Sequence, residues 1–185
     1  KKVTFYEKIF TITFGYFFLP FIISLPYFLS IYNISLIDCY FEAISGFTST
    51  GFSVFENIKQ IDQSLILWRS TSQWIGGLYF LFSILLLIDL FDENLKKSLT
   101  NFLSLNSSEI FKQSFKIIII YLILTIFIFV VLKLINLRTF DALNFSFTLI
   151  SSGGFLPINN LDNLFKSDLS KLTLSFLMLF SFFSL

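Results

Sequence analysis

The sequence predicts an all-α transmembrane fold built from tandem helix–loop–helix repeats. Three observations lead to this prediction: the composition is unusually apolar, membrane-length apolar runs recur, and one pattern occurs twice. Of the 185 residues, 55% are hydrophobic and only 14% are charged, whereas soluble domains are about a quarter charged. The composition therefore indicates a protein that is folded in lipid.

Long apolar segments define the expected membrane spans. A helix needs about 20 apolar residues to cross the hydrocarbon core, and three segments satisfy this: Ile9–Tyr32, Leu65–Ile88 and Phe115–Leu137. A fourth begins near Leu169 and is still apolar at the last residue. We therefore expect an integral membrane protein surrounded by lipid, and we expect the chain to be a piece of a longer one.

A repeat with a spacing of 103 residues links the two halves of the chain. At this offset DCYFEAISGFTSTGF aligns with DALNFSFTLISSGGF without a gap, so that Asp38 falls on Asp141 and Gly51 on Gly154. The flanking segments follow the same order in both halves. Each repeat therefore contains a long helix, a half-length segment, a polar loop and a further helix.

The half-length segments, Ile37–Phe47 and Phe140–Ile150, contain about eleven residues each and are too short to span as helices. Asp38 and Asp141 stand near their starts, where a carboxylate faces free backbone N–H groups and the positive end of the helix dipole. Irregular backbone at membrane depth is tolerated only where protein buries it or it lines a water-filled cavity. We therefore predict two re-entrant pore loops; ordinary connections outside the membrane are the alternative.

The loops have a composition that favours a path for a monovalent cation. They read TSTG (Thr48–Gly51) and SSGG (Ser151–Gly154). Backbone carbonyls replace hydration water in potassium filters, and glycine permits the backbone angles that such a filter requires. Neither loop contains a carboxylate, which favours coordination by carbonyls over a ring of charged side chains.

The order FEAISGFTSTGFSV, LWRSTSQWIGG, FDALNFSFTLISSGGF resembles the Trk/Ktr/HKT superfamily of potassium transporters, and within it the bacterial Trk-type membrane subunit. The Trp-Arg-Ser and Trp-x-Gly-Gly patterns of the second segment are its most specific part. The resemblance covers nearly the whole chain and implies four helix–pore-loop–helix repeats around a pseudo-fourfold pore, of which this chain matches the first two. The expected boundaries are 1–94 for the first repeat, 95–114 for a cytosolic linker and 115–185 for the second repeat, truncated in its last helix. The linker lacks the glycine-rich stretch that the resemblance leads us to expect.

The resemblance also implies which residues bind the ion. The central glycines of the family loops map onto Gly51 and Gly154, and the neighbouring carbonyls complete the set. The expected potassium-binding filter residues are Ser49, Thr50, Gly51, Ser152, Gly153 and Gly154.

Two features of the second span concern support of the loops. Arg69, beside Trp68, either snorkels to the interface or binds a loop carbonyl or Glu42, in which case Arg69 and Glu42 support the filter. For Gly76 and Gly77 we expect close helix packing rather than contact with the ion.

The function implied by the resemblance is that of a pore-forming subunit of a potassium uptake system in the bacterial inner membrane. Potassium is the transported ligand, and no covalently bound cofactor is expected. The implied partners are a second copy of the full-length subunit and a cytosolic nucleotide-binding regulatory subunit. Two alternatives stay open: a complete two-loop cation channel subunit that dimerises, and a membrane scaffold that conducts nothing.

An enzyme is not expected, because the sequence has no His, its single Cys39 has no neighbouring base, and no nucleotide-binding fingerprint is present. No basic cluster suggests binding to nucleic acid. The basic residues divide almost evenly between the two sides of the membrane, so the cytoplasmic placement of the N-terminus rests on the resemblance.

Overall fold

The computed structural model describes residues 5–31, 33–87, 110–158, 161 and 164–183. Within these residues all regular structure is helical, which confirms the predicted all-α fold. The helices are α1 (Phe5–Ser30), α2 (Leu36–Phe47), α3 (Gln63–Leu87), α4 (Ile110–Leu134), α5 (Thr139–Ile150) and α6 (Asp168–Phe183), with a short 3₁₀ turn at Ile58–Gln60.

Helices α1, α3 and α4 are long and apolar enough to cross a membrane, and each contains most of one predicted span. The largest difference is at α4, which begins at Ile110, so that residues 110–114 of the predicted linker are helical. Residues 95–109 of that linker lie outside the described part of the chain. Helix α4 also ends three residues before the predicted Leu137, because Asn136 adopts a left-handed φ of 64° and closes the helix.

The two half-length helices are present where the sequence predicts them. Each contains twelve residues, a length of about 18 Å, which is too short to cross the hydrocarbon core. In α2 the hydroxyl of Ser35 caps the helix by accepting from the Asp38 N–H at 3.1 Å, and it donates to the Asp38 carboxylate at 2.6 Å. Asp141 lies in the first turn of α5, so both acidic residues stand at helix starts as predicted.

Helix α3 is shared between the two repeats. Each half-length helix packs against the long helix that precedes it, α2 on α1 and α5 on α4, whereas α3 contacts both α2 and α5. One apolar core surrounds Tyr27 and Phe47 in the first repeat, and another surrounds Leu132 and Phe145 in the second. This arrangement brings the ends of α2 and α5, and therefore the two polar loops, next to each other.

Candidate functional site

The first loop leaves α2 through a Schellman turn. Beyond Thr48, Ser49 has a φ of 54° and its N–H donates to the Gly46 carbonyl at 3.0 Å. The N–H of Thr50 reaches back to the Ser45 carbonyl at 2.9 Å. This pair of hydrogen bonds satisfies carbonyls that a helix end otherwise leaves free, and here serine occupies the left-handed position that glycine usually takes.

The second loop leaves α5 in the same way. Beyond Ser151, Ser152 has a φ of 52°, its N–H donates to the Leu149 carbonyl at 3.0 Å, and the N–H of Gly153 donates to the Thr148 carbonyl at 2.8 Å. Every one of these residues is 103 positions after its counterpart in the first loop. The repeat predicted from the sequence is therefore also a repeat of backbone conformation.

The two loops touch at the glycines that the alignment pairs. Gly51 has a φ of 80°, and a Cβ added to it would lie 2.5 Å from the Cα of Gly154. A Cβ added to Gly154 would lie 3.1 Å from the Cα of Gly51. Main chain therefore meets main chain here, and a side chain at position 51 has no room.

A cavity of about 390 Å³ lies beside the starts of both loops. Its lining includes the last residues of both half-length helices and the loop residues Ser49 and Ser152. The C-terminal ends of α2 and α5 thus reach the same space, and these ends carry partial negative charge. No charged side chain is among the described lining residues.

A buried ion pair contacts the chain just after the first loop. Arg69 and Glu42 are 1% and 0% exposed, which rules out a snorkelling role for Arg69. The Arg69 Nε donates to Glu42 Oε1 at 2.7 Å and its Nη2 donates to the Ser53 hydroxyl at 2.9 Å. Glu42 Oε2 also accepts from the N–H of Val54 at 2.9 Å. The predicted contact between Arg69 and Glu42 is therefore present, and it ties α3 and α2 to the chain just after the loop.

Arg69 also contacts the residue that follows the second loop. Its guanidinium carbon lies 4.2 Å from the ring centroid of Phe155, within the range of a cation–π interaction. Phe155 follows the second loop directly and is 3% exposed. The same cation is thus in contact with both repeats.

A glutamine that the sequence reasoning did not single out holds the second loop. Gln73 is fully buried, and its amide orientation follows from its neighbours. The oxygen accepts from the N–H groups of Gly154 (3.0 Å) and Phe155 (3.1 Å), and the nitrogen donates to the Thr148 hydroxyl at 3.1 Å. That hydroxyl donates to the Phe155 carbonyl at 3.1 Å. The available signal was the spacing: Gln73 is four residues after Arg69 and so lies on the same face of α3.

Gly76 and Gly77 pack α3 against both half-length helices. A Cβ added to Gly76 would overlap the Phe47 carbonyl oxygen, and one added to Gly77 would lie 3.0 Å from the Ser151 Cβ. Small residues allow helix backbones to approach closely in membranes. The predicted packing role of these two glycines is confirmed.

Side-chain hydrogen bonds also join α3 to α4 and α5 of the second repeat. The indole Nε1 of Trp74 donates to the Thr125 hydroxyl at 3.0 Å, and the Tyr121 hydroxyl donates to the Trp74 carbonyl at 3.1 Å. One turn earlier, the Ser70 hydroxyl donates to the side-chain oxygen of Asn144. Such bonds fix the register of helices that have no hydrophobic drive to associate in lipid.

Comparisons with known proteins agree with this architecture. No family model matches the chain. An uncharacterised cation transporter of Methanocaldococcus jannaschii is 36% identical over 149 residues, which cover 76% of this chain and 30% of that protein. The Trk system potassium uptake protein TrkH of Vibrio parahaemolyticus is 27% identical over 131 residues, 66% of this chain and 27% of that protein.

The crystal structure of the potassium transporter TrkH from Vibrio parahaemolyticus superposes with a TM-score of 0.73 and 26% identity, covering 94% of this chain and 35% of that chain. The chain thus spans about a third of the length of the relatives it matches. Together with its apolar helices, this relationship identifies an integral membrane protein. The chain is homologous to the Trk potassium uptake proteins and shares the TrkH fold over part of its length.

Proposed function

We propose that this chain forms part of the pore of a potassium uptake system, in which monovalent cations pass between backbone carbonyls of the two re-entrant loops. One observation carries the proposal. The two half-length helices end in turns of the same type, and the main chains of their loops are in contact at Gly51 and Gly154. The proposed filter residues are those expected from the sequence: Ser49, Thr50, Gly51, Ser152, Gly153 and Gly154.

The electrostatics of the site favour this function over a packing role alone. A cation that loses hydration water needs replacement oxygen ligands, which carbonyls supply. The end of each half-length helix adds roughly half a negative charge, and both ends reach the cavity beside Ser49 and Ser152. A scaffold would have no need to direct two helix ends into one cavity.

We propose that Arg69 and Glu42 support the filter by holding the chain after the first loop. The two charges are paired at 2.7 Å, so the support adds no net charge beside the ion path. A single buried cation there would repel the transported ion. The ion pair has no net charge, so it provides hydrogen bonds without repelling the transported ion.

The exposed face of the first repeat supports an arrangement with further repeats. In the second repeat α3 covers three residues that are 4%, 6% and 0% exposed: Tyr121, Thr125 and Asn144. Their counterparts 103 positions earlier are 47%, 45% and 44% exposed: Phe18, Ile22 and Phe41.

We propose that a membrane-spanning helix equivalent to α3, from a further repeat of the same polypeptide, covers this face. The relatives that the chain matches are about three times as long, which favours a further repeat over α6 of a second copy. In the dimeric two-loop alternative, α6 of a second copy covers this face instead. Measuring the accessibility of this face to lipid distinguishes the two arrangements.

The remaining elements of the proposed assembly follow from the resemblance. They are the bacterial inner membrane as the location, a homodimer of the full-length subunit and a cytosolic nucleotide-binding regulatory subunit. Copurification of the full-length protein with a nucleotide-binding partner would test the last of these.

Rubidium uptake into cells that lack their own potassium transporters tests the proposed function. The full-length protein should take up rubidium, and Gly51→Asp should abolish uptake while the protein still inserts. The new side chain would collide with Gly154 and place a carboxylate among the filter carbonyls. Asn57→Asp introduces the same carboxylate on an exposed residue outside the filter and should retain uptake.

Unchanged uptake by Gly51→Asp would refute the filter assignment. Absence of uptake by the unmodified protein at normal abundance in the membrane would favour the scaffold instead.

A further inference from the structure

Gln73 reaches from a helix of the first repeat to the loop of the second. We propose that Gln73 is the positioning residue of the second loop, and that it sets the direction of the carbonyls of Gly153 and Gly154. The inference rests on the proposed function and adds a specificity-determining residue to it.

The direction of these carbonyls follows from peptide geometry. The Gln73 oxygen accepts from the N–H groups of Gly154 and Phe155. In a planar trans peptide the C=O of the preceding residue points opposite to the N–H. The carbonyls of Gly153 and Gly154 are therefore directed away from Gln73. Two adjacent carbonyls held in one orientation are what a filter strand requires.

The second loop lacks the contact that holds the first loop. Glu42 holds the first loop through the N–H of Val54. At the offset of 103 residues, the counterpart of Glu42 is Phe145 and the counterpart of Val54 is Pro157. Phenylalanine cannot accept a hydrogen bond of this kind and proline has no N–H to donate. Gln73, on the neighbouring helix, holds the second loop at a different point, through the N–H groups of Gly154 and Phe155.

Gln73 is suited to the task because its hydrogen bonds form a closed network. It is fully buried, and both ends of its amide are paired, with Thr148 between the amide nitrogen and the Phe155 carbonyl. Phe155 is 3% exposed, and a buried N–H group that loses its acceptor carries the full penalty of desolvation. Without Gln73 the loop would have to turn these N–H groups toward another acceptor, and its carbonyls would turn with them.

The position of Gln73 also couples the two loops. Arg69 precedes it by one helical turn on α3 and holds the first loop through Glu42. Because one rigid helix carries both attachments, the two loops are held at a fixed height relative to each other. The inferred role is therefore selectivity between ions, and the test measures selectivity separately from folding.

The test compares uptake of rubidium and sodium by the full-length protein in cells that lack their own potassium transporters. Gln73→Met keeps the length of the side chain and removes its hydrogen bonds. We expect the ratio of rubidium to sodium uptake to fall toward one by about tenfold, which corresponds to about 1.4 kcal/mol. Gln73→Glu keeps an acceptor for both N–H groups but loses the donor to Thr148, so it should retain more of the ratio than Gln73→Met. Gln63→Met, at the exposed first residue of α3, is the matched control and should leave it unchanged.

A second variant covers the case in which Gln73→Met does not reach the membrane. Thr148→Val preserves the shape and breaks the network at its other end, so it should lower the same ratio. Normal abundance with an unchanged ratio in Gln73→Met, or in Thr148→Val if the former fails to fold, overturns this inference while the proposed function stands. A ratio near one in the unmodified protein also overturns it. No uptake by the unmodified protein contradicts the proposed function itself.

Discussion

Replacing Gly51 by alanine tests whether the contact between the two loops matters for the proposed ion path. The substitution adds one methyl group and no charge, so it changes only the backbone preference and the space between the loops. Two features of the structure oppose it: the left-handed backbone of Gly51, with a φ of 80°, and the proximity of Gly154.

The size of the perturbation follows from these two features. A non-glycine residue in the left-handed region costs roughly 1–2 kcal/mol. The added Cβ would lie 2.5 Å from the Cα of Gly154, whereas carbon atoms rest at about 3.5 Å or more. The loops would therefore have to separate by about 1 Å, which is the difference between these two distances. In the proposed filter, a separation on this scale would remove carbonyls from the ion.

Gly154→Ala provides the matched comparison. Gly154 is outside the left-handed region, and its added Cβ would lie 3.1 Å from the Cα of Gly51. A shift of about 0.4 Å restores van der Waals contact at 3.5 Å. The same chemical change should therefore be much milder at position 154 than at position 51, although the alignment treats the two glycines as equivalent.

The assay is the initial rate of rubidium uptake, normalised to the amount of protein in the membrane. Gly51→Ala should lose most of its uptake and its preference for rubidium over sodium, and Gly154→Ala should retain more of both. Equal losses at the two positions would refute the reasoning from backbone geometry. Unimpaired uptake by Gly51→Ala would refute the assignment of this contact to the ion path.

Two further predictions concern support and coverage of the first repeat. Arg69→Met or Glu42→Gln alone should strongly lower the thermal unfolding midpoint of the purified protein, since removing one partner of a buried ion pair costs about 3–5 kcal/mol. The double variant should be more stable than either single variant. A loss of stability in the double variant equal to the sum of the two single losses would contradict this. In a Cys39→Ser background, a spin label at Phe18→Cys should be shielded from lipid-dissolved oxygen in the full-length protein, whereas one at Phe17→Cys should be accessible. Equal accessibility would argue against a helix over this face, and shielding that depends on dimer formation would favour the two-loop dimer.

The sequence was sufficient to predict the helices because their signals are local or repeated. Apolar runs determine the three long helices, and the gapless repeat identifies α2 and α5 as a matched pair. The bounds differ by a few residues, because helix ends depend on backbone conformations such as that of Asn136. Hydropathy does not reveal where such a turn occurs.

The sequence predicted the composition of the site better than its contacts. The pairing of Gly51 with Gly154 follows from the alignment, but their direct contact is a fact of tertiary packing. Arg69 and Glu42 could be proposed as partners because an unpaired charge in a membrane is costly. The burial of both side chains in the structure then favours that contact over snorkelling of Arg69.

Gln73 could not be assigned from the sequence because a neutral amide gives no such signal. Its spacing from Arg69 places both residues on one helix face, but spacing alone cannot tell which loop each residue meets. The structure separates them: Arg69 binds the carboxylate behind the first loop, and Gln73 binds the N–H groups of the second.

The two repeats are therefore alike in backbone and different in support. The ends of α2 and α5 have matching hydrogen bonds and φ values, but a charged pair holds the first loop and an amide holds the second. A second buried ion pair would add another desolvation penalty close to the proposed ion path. An amide satisfies two N–H groups without a charge. Since both attachments come from α3, a displacement of this one helix would shift both loops together.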